Sequence, residues 1–265
     1  MLQDKHISVD DAVKGMTPIT LEEMDSVKLL NRIDTKYLTD EANLVRVLED
    51  ATAAGYRALI ADGEKISPYN SIYYDTAGLK MFLDQHNRRL VRQKVRTRVY
   101  LNSGEAFLEI KRKNNPGRTK KKRTHIPQTE MMDFSADAAA VAYLAKHSAF
   151  TVEMLSPVLS TAFRRITLVN PAKTERLTID TSLIFTNFRT GHKASLEDAV
   201  IIELKQDGHA ASQMKGILLA HRIKPTRVSK YCIAETLTDP SAKSNRFKLK
   251  VRKIEKIINK KIQVI

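Results

Sequence analysis

Cationic side chains recur at every second position in one segment of the chain, which reads Lys-Val-Arg-Thr-Arg-Val-Tyr from residue 94 to residue 100. Successive side chains of a β-strand point to opposite faces, so Lys94, Arg96 and Arg98 would project together from one face. Like charges at that spacing repel one another unless an anion lies among them. The chemistry that suits such a row is the binding of a multiply charged anion.

The alternation of charge continues in three later segments, whose alternating residues are Glu109 and Lys111, Lys121 and Arg123, and Glu203 and Lys205. Strands that carry apolar residues on one face and cations with a few carboxylates on the other predict an interior that binds a polyanion. The alternative is a solvated face of a two-sided sheet. For Glu109 two interpretations stay open, a salt-bridge partner that orients cations or a metal ligand, and Glu203 is the stronger metal candidate.

Composition narrows the class of protein. The chain has 265 residues, 42% of them hydrophobic, which is enough to bury a core. It has no apolar run near the ~20 residues of a membrane helix, and its N-terminus does not read as a signal peptide. The single cysteine, Cys232, excludes an internal disulfide and makes the cytoplasm the expected location.

The formal charge of +15 is unevenly distributed. Residues 241–265 contain nine Lys or Arg residues and Glu255 as their one acid, a net +8 that leaves +7 for residues 1–240. A mildly basic body with basic strand faces favours an internal anion site over a nucleic-acid surface. We therefore expect no nucleic-acid partner.

Hydrophobic periodicity and turn signals predict the elements. Strands are expected over residues 32–38, 71–75, 90–100, 106–113, 121–126, 162–170, 175–180 and 199–205. Helices are expected over residues 8–31, 39–55, 79–86, 136–146 and 212–222 and in the tail. The turns at 102–104 and 114–117 predict a three-stranded meander. The expected fold class is α+β, with flanking helices around a closed eight-stranded antiparallel β-tunnel in a single domain over residues 1–240.

The tail, residues 241–265, is predicted to be a basic amphipathic helix. Its apolar residues recur at spacings of three or four, and they are Phe247, Val251, Ile254, Ile258, Ile262 and Ile265. Three interpretations stay open: packing on the barrel, attachment to the anionic inner face of a membrane, or docking on a membrane protein.

Eight motifs stand in the order seen in a known family. They are Arg32-Ile-Asp-Thr-Lys36, Tyr73-Tyr-Asp-Thr, the strand with Lys94, Arg96 and Arg98, Leu108-Glu-Ile-Lys111, Phe163-Arg-Arg165, Ile179-Asp180, Ile202-Glu203-Leu-Lys205 and Ser229-Lys230-Tyr. Over residues 20–235 the chain thus resembles the VTC domain, the catalytic domain of the vacuolar transporter chaperone complex. This family belongs, with the CYTH enzymes, to the triphosphate tunnel metalloenzymes.

The resemblance implies a tunnel that is open at both ends and transfers the γ-phosphate of ATP to polyphosphate, releasing ADP. Glu203 would hold a divalent metal, Mn²⁺ or Mg²⁺, with Glu109 as the second candidate ligand. The implied catalytic residues are Lys36, Arg96, Arg98, Lys111, Arg165 and Lys230. The implied residues for binding ATP and polyphosphate are Arg32, Lys94, Lys121, Arg123, Lys205, Arg227 and Ser229.

Two departures from the superfamily pattern matter for the activity. CYTH enzymes begin with Glu-x-Glu-x-Lys, whereas this chain has Arg32-x-Asp34-x-Lys36, so a cation replaces the first carboxylate and one metal ligand is lost. This favours a polymerase of the VTC type. Phe163 stands where the family often has Tyr. The alternatives are a triphosphatase or nucleotide hydrolase on the same scaffold, and a non-catalytic polyphosphate sensor.

Overall fold

Antiparallel strands dominate the computed structural model, which describes residues 7–25, 32–114, 119–208 and 211–265. The strands, in chain order, are β1 (Pro18–Ile19), β2 (Arg32–Asp40), β3 (Arg57–Leu59), β4 (Ile66–Asp75), β5 (Arg92–Tyr100), β6 (Ala106–Lys113), β7 (Thr119–Ile126), β8 (Ser156–Val169), β9 (Glu175–Asn187), β10 (Lys193–Leu196) and β11 (Ala199–Asp207). The helices are α1 (Val9–Lys14), α2 (Leu21–Asp25), α3 (Glu41–Ala53), α4 (Lys80–His86), α5 (Ala138–His147), α6 (Gln213–Ala220), α7 (Lys230–Thr238) and α8 (Asn245–Ile258).

Eight of these strands form one hydrogen-bonded path, in the order β2-β11-β9-β8-β4-β5-β6-β7. All neighbours along the path are antiparallel, and β1, β3 and β10 pair at its margins. The predicted α+β class with an eight-stranded antiparallel sheet is therefore confirmed. Over the described residues of β2 and β7, the two ends of the path do not pair, so the predicted closure of the barrel is not confirmed.

The sheet nevertheless curls strongly. Lys111 on β6 lies within electrostatic reach of Glu203 on β11 and Lys36 on β2, although these strands stand near opposite ends of the path. The two ends of the sheet therefore face each other across a charged interior. Charged side chains, rather than a ladder of backbone hydrogen bonds, face each other between the two ends of the sheet.

The convex face of the sheet is covered by helices. Helix α3 begins at Asp40, whose Oδ1 accepts from the backbone N–H of Asn43 at 2.7 Å, as a helix N-cap does. Its apolar residues lie at helical spacing and pack on the outward side chains of β8, β9 and β11; they are Leu44, Val47, Leu48 and Ala51. A second outer cluster lies between α5 and the outward residues of β5 and β6. Strands β5, β6, β9 and β11 thus have an apolar outer face and an inner face that carries charge.

Helix α7 packs across one end of the interior. Tyr231 on α7 stacks on Tyr73 of β4, with ring centroids 5.1 Å apart, and shares an apolar cluster with Phe163 and Ile201. Helix α8 packs on the same cluster through Phe247 and Ile254. Through Ser229 and Lys230 the N-terminus of α7 lies beside the end of the interior at which β5 begins.

Several predicted bounds were wrong. Strand β8 begins at Ser156 and β9 continues to Asn187, so both are longer than predicted. Residues 8–31 were predicted to form one or two short helices, and their described part forms two, α1 and α2, with the unpredicted β1 between them. Residues 26–31, and 115–117 of the predicted turn, lie outside the described residues. Helix α8 ends at Ile258, so Ile262 and Ile265 follow it.

Candidate active site

The strand register brings the predicted charged residues together. Lys94 lies opposite Lys111 on β6, and Lys111 lies opposite Lys121 on β7. At the next position on the same face of β5, Arg96 lies opposite Glu109 of β6. Because alternate residues share a face, this register creates adjacent layers of charge inside the curled sheet.

Glu109 is the centre of one neutralised cluster. Its side chain is fully buried, and its Oε2 accepts from Nη2 of Arg96 at 2.5 Å while its Oε1 accepts from Nζ of Lys121 at 2.7 Å. Burial alone would raise the pKa of this carboxyl, but Arg96, Arg98 and Lys121 together hold it far below its usual range. Both carboxylate oxygens therefore engage cations, as a partner that orients Arg96 should.

Asp180 on β9 is the centre of a second neutralised cluster. Its Oδ1 accepts from Nε of Arg165 at 2.6 Å and its Oδ2 from Nη2 at 2.8 Å, the bidentate geometry of a strong ion pair. Lys230, the first residue of α7, also bonds to Oδ2. Burial lowers the pKa of Lys230 to about 8, because Asp180 offsets only part of the cost of burial and Arg165 adds repulsion.

Further cations face the interior without a carboxylate partner among the described residues, and three of them lie on β5 and β6. Nε of Arg98 donates to Oγ of Ser71 at 2.8 Å, and Nζ of Lys94 donates to Oγ of Ser229 at 2.8 Å. Lys111 has neither a hydrogen bond nor an ion pair within the described part of the chain. Burial and the charge of Arg96 lower the pKa of Arg98 to about 10.

Burial and the charge of Arg96 also lower the pKa of Lys111, but in the reverse order of size. The charge of Arg96 is the largest cause and burial the second, and together they hold its pKa well below the usual range. For Lys94 burial is the main cause of a lowered pKa. These cations lack the negative charge that would make their burial favourable, so a bound anion would supply it.

Glu203 is more open than the carboxylates of the two neutralised clusters. Its side chain is 23% exposed, against 0% for Glu109 and 4% for Asp180. Its ion pairs are also longer, 3.1 Å to Nζ of Lys205 and 3.8 Å to Nζ of Lys36. No group of three or more His, Cys, Asp or Glu residues with metal-binding geometry occurs among the described residues.

Three predicted site residues are exposed, although Arg123 lies opposite Glu109 of β6. Arg32 pairs with Asp34 at 2.5 Å, and both side chains are substantially exposed. Arg123 is exposed and donates to the Tyr100 hydroxyl at 3.1 Å. Arg227 is exposed beside the N-terminus of α7. The assignment of these three to the substrate stays a prediction.

Aromatic and hydroxyl residues of β4 complete the interior and were not predicted. Tyr73 accepts from Nη1 of Arg96 at 3.1 Å, and the guanidinium of Arg98 lies 5.4 Å from the ring centre of Tyr69. Burial by itself would raise the pKa of Tyr73, but Arg96, Arg98, Lys94 and Lys230 outweigh it and lower this pKa to about 8. The alternation of Tyr69, Ser71 and Tyr73 was the available signal. Arg176 on β9, opposite Lys205, was also missed.

Known structures share this curled sheet. A candidate adenylate cyclase from Bacillus halodurans superposes with a TM-score of 0.50 at 13% identity, over 83% of this chain and 100% of that chain. A candidate adenylyl cyclase from Hippeastrum, described as having a dominant triphosphatase activity, superposes with a TM-score of 0.47 at 13% identity, over 77% of this chain and 95% of that chain. The Bacillus halodurans superposition shows a common fold.

The sequence profile of the VTC domain matches residues 31–238, well over half of the chain. The chain therefore belongs to the VTC domain family. No curated protein sequence matches the chain. No helix among the described residues is both long enough and apolar enough to span a membrane.

Proposed function

We propose that this protein is a metal-dependent polyphosphate polymerase, which transfers the γ-phosphate of ATP to a polyphosphate chain and releases ADP. Membership of the VTC domain family supports this reading. The observation that carries it is the set of interior cations without a carboxylate partner among the described residues, which includes Arg98, Lys111 and Lys94. A linear polyphosphate carries about one negative charge per phosphate, so it matches a row of such cations.

The interior would position the two reacting phosphates. Phosphoryl transfer asks the protein mainly for alignment and for stabilisation of charge. Arg96 and Arg165 are fixed by Glu109 and Asp180, so their remaining N–H groups are held in place for phosphate oxygens. Lys36, Lys111 and Lys121 would neutralise the charge of the transferred group, and Ser229 and Lys230 would hold the terminal phosphate.

The reaction needs no deprotonated side chain as nucleophile. An oxygen of the terminal phosphate of the acceptor chain is already anionic and would attack the γ-phosphorus of ATP. The bond between that phosphorus and the β–γ bridging oxygen would break, and the bridging oxygen would leave with ADP. One phosphoanhydride bond forms as another breaks, so the acceptor chain lengthens by one phosphate.

Glu203 is the residue that fits a divalent metal. It is more open than Glu109 and Asp180, and a single carboxylate together with substrate phosphates is a common way of binding Mg²⁺ in enzymes that act on nucleotides. When bound, such a metal neutralises charge on the phosphoryl oxygens. Glu109 stays the predicted second metal ligand. Both of its oxygens already bond to cations.

The sequence of β2 favours phosphate over water as the acceptor of the transferred group. Arg32 occupies the position of a superfamily carboxylate and bonds to both oxygens of Asp34, at 2.5 and 3.0 Å. Asp34 is thereby engaged as an ion-pair partner, which leaves Glu203 as the metal candidate. A triphosphatase would use the same cations with water as the acceptor, so only the products separate these activities.

The test is to incubate the purified protein with ATP, Mn²⁺ and a pyrophosphate primer and to separate the products by chain length. Metal-dependent ladders with matching ADP are the expected result. Release of phosphate without ladders would replace the polymerase with a hydrolase. Tight polyphosphate binding without turnover would instead indicate a sensor.

A further inference from the structure

A second cluster of cations lies outside the interior, beside the N-terminus of α7. We call it the outer basic cluster, and it consists of Arg88, Arg227, Lys250 and Lys253. Arg88, Arg227 and Lys253 are exposed, and Lys250 is half-buried. Two of its members were part of the basic tail in the sequence, and Arg88 gave no signal there.

The packing of α8 on α4 assembles this cluster. The Phe247 ring of α8 lies 5.8 Å from the ring of Phe82 and 5.6 Å from that of His86, both on α4. This contact places Lys250, one turn after Phe247, near Arg88, which follows the end of α4. The Lys250 ammonium lies 5.4 Å from the Phe247 ring centre.

The other side of the cluster is held by the segment before α7. Nζ of Lys253 donates to Oγ1 of Thr226 at 2.5 Å, so Lys253 stands beside Arg227. The fold thus brings together residues from three separate parts of the chain. A chance run of surface lysines along one helix would not bring in Arg88 and Arg227.

The cluster lacks compensating charge. Among the described residues, none of its four members forms an ion pair with a carboxylate within 4.0 Å, and Glu255 on α8 pairs instead with Lys261 at 3.1 Å. Burial is the main reason why the pKa of Lys250 is lowered, and Arg88, Arg227 and Lys94 lower it further. The four cations therefore form a mutually repulsive group that an anion would stabilise.

The outer basic cluster is continuous with the interior. Lys94, which faces the interior and also acts on Lys250, donates to Ser229 at 2.8 Å, two residues after Arg227. A linear anion could pass from Lys94 along the N-terminal end of α7 to the cluster without leaving a positive surface. This continuity favours a polymer over a flat membrane.

We propose that the outer basic cluster binds the part of a polyphosphate chain that extends beyond the interior. The inference rests on the proposed function, since it concerns the same polymer. It predicts that affinity depends on chain length. A short oligophosphate occupies the interior alone, whereas a long chain contacts both surfaces and gains avidity from the second one.

The test compares the unaltered protein with a variant carrying Arg88→Gln, Lys250→Gln and Lys253→Gln. The affinities for tripolyphosphate and for long-chain polyphosphate are measured by titration calorimetry over a range of salt concentrations. We expect the variant to bind tripolyphosphate within about twofold of the unaltered protein and to bind long chains at least about tenfold more weakly. By analogy with single-stranded polyanions, the salt dependence for long chains should fall by about two in slope.

A matched control carries Lys248→Gln, Arg252→Gln and Lys256→Gln, which remove the same charge from other exposed positions of α8. Equal weakening by both variants would overturn the proposal, because net charge would then explain the effect. Unchanged long-chain affinity in the cluster variant would also overturn it. So would a loss of binding to phosphatidylserine vesicles with long-chain affinity retained, which would assign the cluster to a membrane.

The proposed function can fail separately. If the unaltered protein makes no ladders from ATP but the cluster variant still loses long-chain affinity, the polymerase is refuted and the outer cluster stands. If ladders form normally and the cluster variant keeps its long-chain affinity, the cluster is refuted and the polymerase stands. Thermal unfolding of each variant checks that all three proteins are folded.

Discussion

Glu109 and Lys111 are neighbours on the same face of β6, yet they are in opposite electrostatic situations. Glu109 bonds to Arg96 and Lys121, so its charge is balanced within the protein. Lys111 has no such partner within the described residues and is repelled by Arg96. The first arrangement stabilises a fixed geometry, whereas the second stores unfavourable energy that an anion would release.

The same contrast separates Asp180 from Arg98. Asp180 holds Arg165 and Lys230 together, whereas Arg98 has no ion pair among the described residues and contacts the hydroxyl of Ser71 and the rings of Tyr69 and Phe163. Balanced charges therefore build the frame of the site, and unbalanced cations provide its binding capacity. Substitutions in the two groups should separate stability from activity.

The largest expected effect is on stability, from Glu109→Gln. This change leaves Arg96 buried without its counter-ion, and breaking a buried ion pair by removing one partner costs about 3–5 kcal/mol. Guanidinium unfolding would measure the change in the free energy of unfolding. Glu105→Gln, at an exposed position just before β6, is the control. A loss of less than about 1 kcal/mol for Glu109→Gln would contradict the framing role.

Arg98→Met should affect activity and spare the fold. Methionine retains much of the packing between Tyr69 and Phe163 but removes a cation that has no counter-ion, so we expect stability to stay the same or rise. Ladder formation should fall by about 10²–10³-fold, as when a preorganised donor is lost. Arg98→Lys keeps the charge and should retain more activity. A folded, fully active Arg98→Met protein would rule out the proposed assignment.

Glu203→Gln should uncouple metal use from polyanion binding. Loss of the open carboxylate should lower metal-dependent turnover by about 10- to 100-fold, the range seen when a metal site is disturbed. Polyphosphate affinity should stay the same or increase, because a negative charge leaves the interior. Assays at several Mn²⁺ concentrations, with calorimetry in the absence of metal, would measure both. Undiminished turnover would move the metal to Glu109.

The smallest expected effect is on pH dependence. Lys230 has a pKa of about 8 in the folded chain and 10.5 as its ordinary value, so the unfolded chain binds more protons between these values. Stability should therefore rise with pH across that window from this group. Polyphosphate affinity should fall over the same window, because Lys230 loses its charge.

Calorimetry and guanidinium unfolding at about pH 7 and about pH 9.5 would measure these opposite trends. Lys230→Arg, which keeps its charge throughout, should flatten the decline in affinity. If that variant reproduced the full decline of the unaltered protein, the titrating group would have to be another one, with Tyr73 the next candidate because its pKa is also about 8.

The sequence was sufficient to predict the charged residues on the inner face of the sheet, but it was insufficient to predict the strands at its edges. Period-two alternation placed Lys94, Arg96 and Arg98 on one face because that rule is local. The short strands β1, β3 and β10 escaped prediction, and for β1 and β3 the reason is that pairing with distant segments stabilises them. The start of β8 at Ser156 was missed because Ser-Pro reads as a turn.

The charged residues of the site were predicted, but the ion pairs between them were not. Alternation cannot tell which cation pairs with Glu109, because that depends on the register between β5, β6 and β7. It also cannot show that Lys111 lacks a partner, which depends on the curl of the sheet. Arg32 and Arg227 were assigned to the substrate by resemblance; both are exposed, and that assignment stays a prediction.

Without a ladder between the described parts of β2 and β7, a bound polyphosphate would also have an architectural role. Lys36 and Lys111 face each other across this seam, and Glu203, beside Lys36, attracts Lys111 more strongly than Lys36 repels it. A polyphosphate lying between the two lysines would attract both of them and would connect the two ends of the sheet. The polymer would then be part of the wall that surrounds it, and amide exchange along β7 should slow when it binds.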